Sequence, residues 1–309
     1  MKLGVLLWPQ ATSWPAFRDA ATAADAAGAD AIWTWDHLLS IVGPADQPIL
    51  EGWTALAGLA PLTRRARLGL LVAANTFRNP GLTAKLATTL DHVSDGRAIL
   101  GLGGAWFERE HDAFGLEFGS GFGERLDRLD EATMVVRRLL DGERLTHHGR
   151  FYDLREAVCA PRPIQERLPI MIGGSGPQKT LRTTARYADQ WNMFGALDAA
   201  RDKLAVLDER CREVGRDPGQ IERTISKSIV LREDAEEART VFEAGVRHHG
   251  GDPSSVAAVV GPPAFVASEI RPYLESGFGQ LVVALREPFD RETIERLPEL
   301  RAALEGNGD

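Results

Sequence analysis

The segment GGSGPQKTLRTTARYADQW, from Gly173 to Trp191, holds the densest set of residues able to do chemistry. A short apolar run, Leu168–Ile172, leads into a loop with three glycines in four positions, and a helical pattern follows. Glycines leave backbone N–H groups uncovered, and the N-terminus of a helix adds partial positive charge. Gly173, Gly174, Ser175 and Gly176 therefore read as a cradle for a phosphate or carboxylate, with Lys179 and Arg182 adding full charge one turn in. An ordinary strand-to-helix turn can carry the same letters, so the reading depends on its company. Two familiar phosphate motifs are excluded. A Walker loop needs glycine before its lysine, and Gln178 precedes Lys179. The dinucleotide pattern GxGxxG, started at Gly174, meets Lys179 at its third glycine, and started at Gly101 it meets Trp106.

Other candidates gather at the ends of apolar runs. WTWDH brings Asp36 and His37 to such an end, GLLVAANTFRNP brings Asn75 and Thr76, and LGLGGAWFE supplies a turn through Gly103 and Gly104. A sixth run finishes near Trp191 and Asn192. Histidine, with an ordinary pKa of about 6.5, suits proton exchange near neutrality. Neighbours on a strand face opposite ways, so Asp36 and His37 are not read as one acid–base pair. The doublets His147–His148 and His248–His249 make poor chelates, and neither HxH nor HExxH occurs, so no metal site is expected. Trp8, Trp33, Trp35, Trp53, Trp106 and Trp191 lie at or beside strand ends. Core packing explains about half of such residues, and the others would suit a flat ring. An anion loop beside indoles and glycines points to a planar heteroaromatic ligand with a phosphate tail. Arg64, Arg65 and Arg67 read as a solvated helix end.

These residues need a scaffold that brings strand ends together. Candidate strands fall near Leu3–Leu7, Ala31–Trp35, Leu68–Ala73, Ala98–Leu102, Leu168–Ile172, Gln190–Phe194, Thr224–Leu231 and Gln280–Ala284, with helical patterns between them. Gly28 and Gly215 mark helix stops. Eight strand–helix units predict an α/β fold, a (β/α)8 TIM barrel, over a doubly wound open sheet. The stretch of about 108–163 breaks the rhythm. It holds a long amphipathic pattern, Arg125–Leu140, and the strand-like THHGRFYDL, and reads as an insertion after strand 4. Residues 1–309 are expected to form a single domain whose tail, EGNGD, frays.

Bulk properties narrow the function classes. The chain has 309 residues, 44% of them hydrophobic, enough for a large core. A net charge of −8 and a pI near 5.5 argue against nucleic-acid and anionic-membrane partners. No apolar run reaches transmembrane length, and MKLGVLLWPQ reads as a first strand and not a signal peptide. Two cysteines, Cys159 and Cys211, with no CxxC, suit a reducing bacterial cytoplasm. The partner is a small molecule, and a homodimer is a common state for barrels.

The pieces GADAIWTWDH, LGLLVAANTFRNPGLTAKLATTLDHVSDGRAILGLGGAWFEREHDAFG, RFYDL and GGSGPQKTLRTTARYADQWN resemble the luciferase-like monooxygenase superfamily, in the branch of oxidoreductases that use coenzyme F420. They cover most of residues 1–195. The resemblance implies a cofactor ring bound at the C-terminal ends of the barrel strands. It places Asp36 and His37 on the ring side, and a bulged third strand, often with a non-prolyl cis peptide, around Leu71 and Val72. It also implies ring contact at Gly103 and Gly104 and phosphate binding by Gly173, Gly174, Ser175 and Gly176. The implied activity is hydride transfer between F420 and a small organic substrate, with His37 as proton donor or polarising group. Asn75 and Trp191 complete the expected cofactor-binding set. An FMN-dependent two-component monooxygenase and a non-catalytic cofactor-binding barrel are the alternatives. Two departures stand out. The carboxylate that sugar-phosphate dehydrogenases of the family carry near Trp106 is an indole here, and Ala105 stands where the glycine-alanine-glycine-tryptophan order has glycine. The loops around Ile41–Leu50, after Trp106 and in Gly250–Pro263 are expected to admit a partly apolar substrate.

Overall fold

Twelve strands run through residues 1–306, the part of the chain described in this computed structural model. They are β1 (Lys2–Leu7), β2 (Ala31–Thr34), β3 (Arg67–Leu70), β4 (Ala73–Ala74), β5 (Ala98–Gly103) and β6 (Leu145–His148). The remainder are β7 (Asp153–Ala157), β8 (Ile170–Gly173), β9 (Gln190–Phe194), β10 (Glu222–Leu231), β11 (Ala258–Gly261) and β12 (Gln280–Leu285). Leaving aside β4, β6, β7 and β11, each strand is followed by helix, which is the order of a (β/α)8 TIM barrel with an insertion after its fourth strand, β5. Of the expected tail, residues 307–309 lie outside the described part, while Glu305 closes the last helix, Leu297–Glu305.

The chain divides into two compact units drawn from interleaved stretches. The first comprises Met1–Arg67, Phe194–Ala200 and Arg223–Asp309. Its strands run parallel in the order β11-β10-β12-β1-β2, with Leu7 opposite Leu285 and Ser228 opposite Ala284. Strands covered on both faces need continuous apolar runs, and Leu3, Val5, Leu7, Leu281 and Val283 are fully buried. Side chains set the helix starts. Ser13 accepts from the Ala16 N–H before Trp14–Ala26, and Glu51 accepts from Trp53 and Thr54 before Gly52–Leu59. Strand β11 is an addition to the sequence reading, which left Gly250–Pro263 as loop. Its four residues pair with β10, and Val260 packs with Val230, Ala238, Phe242 and Val246.

The second unit comprises Leu68–Met193 and Arg201–Glu222. Here the order is β3-β5-β8-β9, all parallel, with β4 rejoining β5 after a break at Leu71–Val72. The insertion contributes a short helix, Glu108–Phe114, and an antiparallel hairpin of β6 and β7. The long helix Phe122–Leu140 packs against Pro80–Val93 and Thr180–Tyr187, so it takes the place of the outer helix after the fourth strand. The inserted material proper is therefore narrower than the expected 108–163.

Candidate functional site

In the second unit, the peptide bond between Leu71 and Val72 is cis, as the bulged third strand led one to expect. The Val72 side chain is wedged among glycines of neighbouring strands. A Cβ on Gly103 would sit 2.5 Å from Val72 Cγ2, and one on Gly173 would sit 2.8 Å from Val72 Cγ1. A Cβ on Gly101 would lie 1.9 Å from the Leu70 carbonyl oxygen. Close packing inside the protein thus accounts for glycine at these positions before any ligand is considered. Gly104 is similar, since its Cβ would fall 2.8 Å from Leu126 Cδ2 on the long helix.

Beyond β8 the chain turns through Gly174, whose φ of 120° suits only glycine. Its N–H donates to the Asn192 carbonyl at 3.1 Å, and its carbonyl accepts the Trp191 indole N–H at 2.7 Å. Trp191 is fully buried and is the second residue of β9, not its end, so it holds the loop from below. The next two amides, of Ser175 and Gly176, donate to no acceptor among the described residues. They stand just before the helix Thr180–Tyr187, whose first turn adds the dipole's positive end. Two N–H groups of this kind at a helix start fit an anionic tail, and they carry the test of the phosphate cradle.

Lys179 does not add the expected free charge. Its Nζ lies 2.6 Å from Asp127 Oδ1 and donates to the Gly123 carbonyl at 2.9 Å, tying the loop to the long helix. Arg182 is exposed. Sequence reading missed Arg125, which is buried with its guanidinium 3.6 Å above the Phe118 ring and, among the described residues, has no carboxylate within ion-pair distance. Burial lowers its pKa, with Glu108 and Glu124 opposing. Its place in the long helix Phe122–Leu140, away from any strand end, gave no signal.

Asn75 is buried, and its amide donates to the Tyr152 hydroxyl at 3.1 Å, so the hairpin loop braces the third-strand turn. Burial raises the Tyr152 pKa, with the Asn75 hydrogen bond opposing. Thr76 meets His111 Nε2 at 2.6 Å, while His111 Nδ1 reaches the Phe107 carbonyl at 2.9 Å. A carbonyl only accepts, so Nδ1 carries a proton. Ala105 has φ of 58°, the left-handed conformation in which a methyl is disfavoured.

The first unit holds the other candidates. Asp36 is 3% exposed and His37 half-buried, both just beyond β2. His37 stands edge-on to Trp35 with ring centroids 5.4 Å apart, and Trp35 lies 4.4 Å from Trp8 at the end of β1. Arg286, directly after β12, places its guanidinium 4.2 Å over Trp8. His249 meets Trp8 edge to face at 5.5 Å and donates from Nε2 to the Glu287 carbonyl at 2.9 Å. Burial holds its imidazole down at about 4, so it is neutral at pH 7. The loop Ile41–Leu50 meets the His249 turn through Gln47, which donates to the His249 carbonyl at 3.1 Å. Two of the three loops expected to admit substrate are thus in contact.

The two histidines of the first doublet face separate carboxylates. His147 faces Glu131 at 3.1 Å and His148 faces Asp153 at 2.7 Å. Cys159 and Cys211 are both buried and form no disulfide, and among the described residues no helix is long and apolar enough to cross a membrane.

A parallel β/α barrel with a cis-linked third strand and a glycine-rich loop after its fifth strand defines a class of enzymes. The family model of luciferase-like monooxygenases matches residues 1–259, and the chain belongs to that family. Among curated relatives, the phthiodiolone/phenolphthiodiolone dimycocerosates ketoreductase of Mycobacterium tuberculosis is 32% identical over 248 residues, covering 72% of this chain and 63% of the relative. The chain thus spans less than two thirds of that protein's length. The F420-dependent glucose-6-phosphate dehydrogenase of Kineococcus radiotolerans is 30% identical over 294 residues, 85% of each chain. A solved F420-dependent secondary alcohol dehydrogenase, in complex with an F420-acetone adduct, superimposes with a TM-score of 0.85 at 19% identity over 99% of both chains. That likeness establishes the shared fold.

Proposed function

We propose that this protein is an oxidoreductase that transfers a hydride between coenzyme F420 and a small organic substrate, with residues 1–309 acting as one catalytic domain. The observation that carries the reading is the pair of uncommitted amides at Ser175 and Gly176, held by Trp191 beneath Gly174. The names of the ketoreductase and dehydrogenase relatives support the choice of cofactor. The residues present fit it. Ser175 and Gly176 would bind the phosphate, and the backbone at Leu71–Val72, Gly103 and Gly104 would lie against the ring, with Asn75 fixing the turn beside it. When bound, the deazaflavin supplies the hydride chemistry, while the protein positions its ring and excludes water. Asp36 and His37 would face the ring, with His37 holding or releasing the proton that accompanies hydride transfer.

FMN is the second reading, favoured by the monooxygenase description of the family model. Titration of the purified protein with F420 and with FMN, read by tryptophan fluorescence, decides between them. Tighter binding of F420, and exchange of label from the reduced deazaflavin into a carbonyl substrate, supports the proposal. Tighter binding of FMN, with oxygen uptake by the reduced complex, refutes it.

A further inference from the structure

Arg286 has a charge that the protein does not neutralise. Its guanidinium stacks 4.2 Å over Trp8 and lies 5.9 Å from the Phe242 ring. Its one hydrogen bond runs from Nη1 to Ser228 Oγ at 3.3 Å, and no carboxylate stands within ion-pair distance among the described residues. The adjacent Glu287 turns its carboxylate to Thr12 instead, at 3.3 Å. Arg286 is half-buried, and an arginine drawn partly out of water normally finds an anion, because five N–H donors in a partly apolar setting are costly to leave without acceptors. Burial alone pulls this guanidinium down to about 10, which still leaves it cationic at neutral pH.

Position makes the missing counter-ion informative. Arg286 follows β12 and Trp8 follows β1, and Leu7 and Leu285 are register partners, so both stand at C-terminal strand ends. Trp8, Trp35 and His37 continue the cluster in one line of ring contacts. The nearby His249 is neutral at pH 7, so Arg286 is the permanent positive charge beside an apolar floor of indoles. One planar fork suits a single carboxylate in two-point contact better than a phosphate dianion, which takes more cations.

We propose that Arg286 anchors a carboxylate of the substrate, so that the enzyme acts on small organic monoacids with an apolar body. This rests on the oxidoreductase reading above, and its test is separable from the cofactor test. The probes are aromatic and straight-chain monocarboxylates paired with their primary amides, together with inorganic phosphate. Binding is read by tryptophan fluorescence and by calorimetry, with and without F420. The expected result is a preference of about tenfold or more for acid over amide, the scale of a charge-assisted hydrogen bond, lost in Arg286→Gln and partly kept in Arg286→Lys. Arg286→Met should melt no lower than wild type without ligand, because it puts an apolar side chain beside the indole in place of a charge that has no counter-ion. Equal binding of acids and amides in both states, binding of phosphate alone, or a marked loss of stability in Arg286→Met would overturn the assignment. Failure of F420 to bind while acids still prefer the wild type would strike the cofactor reading and leave this one standing.

Discussion

Trp191 donates its indole N–H to the Gly174 carbonyl at 2.7 Å, so a fully buried side chain sets the pitch of the loop above it. Trp191→Phe keeps most of the packing and removes the donor. The expected cost is about 1–2 kcal/mol of stability, with weaker binding of the phosphate-bearing cofactor. Urea midpoints and a cofactor titration check both, and unchanged cofactor affinity would mean that the loop keeps its shape without the bond.

His249 makes stability depend on pH in a predictable direction. Its folded-state pKa lies at about 4, below histidine's ordinary 6.5. The unfolded chain therefore binds the proton more readily. The stabilisation is complete above about pH 6.5 and is lost as pH falls toward 4, amounting to about 3 kcal/mol at most. His249→Gln should flatten that part of the profile. Parallel urea melts of the two proteins between pH 4 and 7 measure the difference, and identical slopes would remove His249 from the account.

Ala105, at φ of 58°, has a backbone conformation that costs a non-glycine residue about 1 kcal/mol. Ala105→Gly is expected to raise stability by up to about that amount, less the greater freedom of glycine in the unfolded chain. A lower urea midpoint would show that the methyl makes a favourable contact worth more than the strain.

His37 is held edge-on against Trp35 in a half-buried position. His37→Ala should lower turnover by about 100-fold or more, as loss of a general acid–base group does, while F420 affinity stays within about twofold. Steady-state rates alongside a fluorescence titration check this. Undiminished turnover would assign the proton step elsewhere.

Much of this scaffold was legible because parallel strands covered on both faces must be written as unbroken apolar runs. The strand Gln190–Phe194 was placed to the residue. The strand β11 was missed because AVVG is short and sits among glycines and prolines that signal loop. The glycines were found for an incomplete reason. Their type was visible, but only coordinates reveal that Val72 occupies the space at Gly103 and Gly173. Lys179 was taken as a free cation because its partner, Asp127, lies 52 positions away in another helix. Arg286 was overlooked because an arginine after a strand is common in sequence, and its lack of a carboxylate appears only in three dimensions.

The wedge formed by Val72 makes three distant stretches of the gene answerable to one another. An alanine at 103 or 173 would press on the methyls of that valine and force it to move, so drift at these sites is tied to its size. Any lineage that enlarges residue 72 closes those routes for its descendants, whatever cofactor they use.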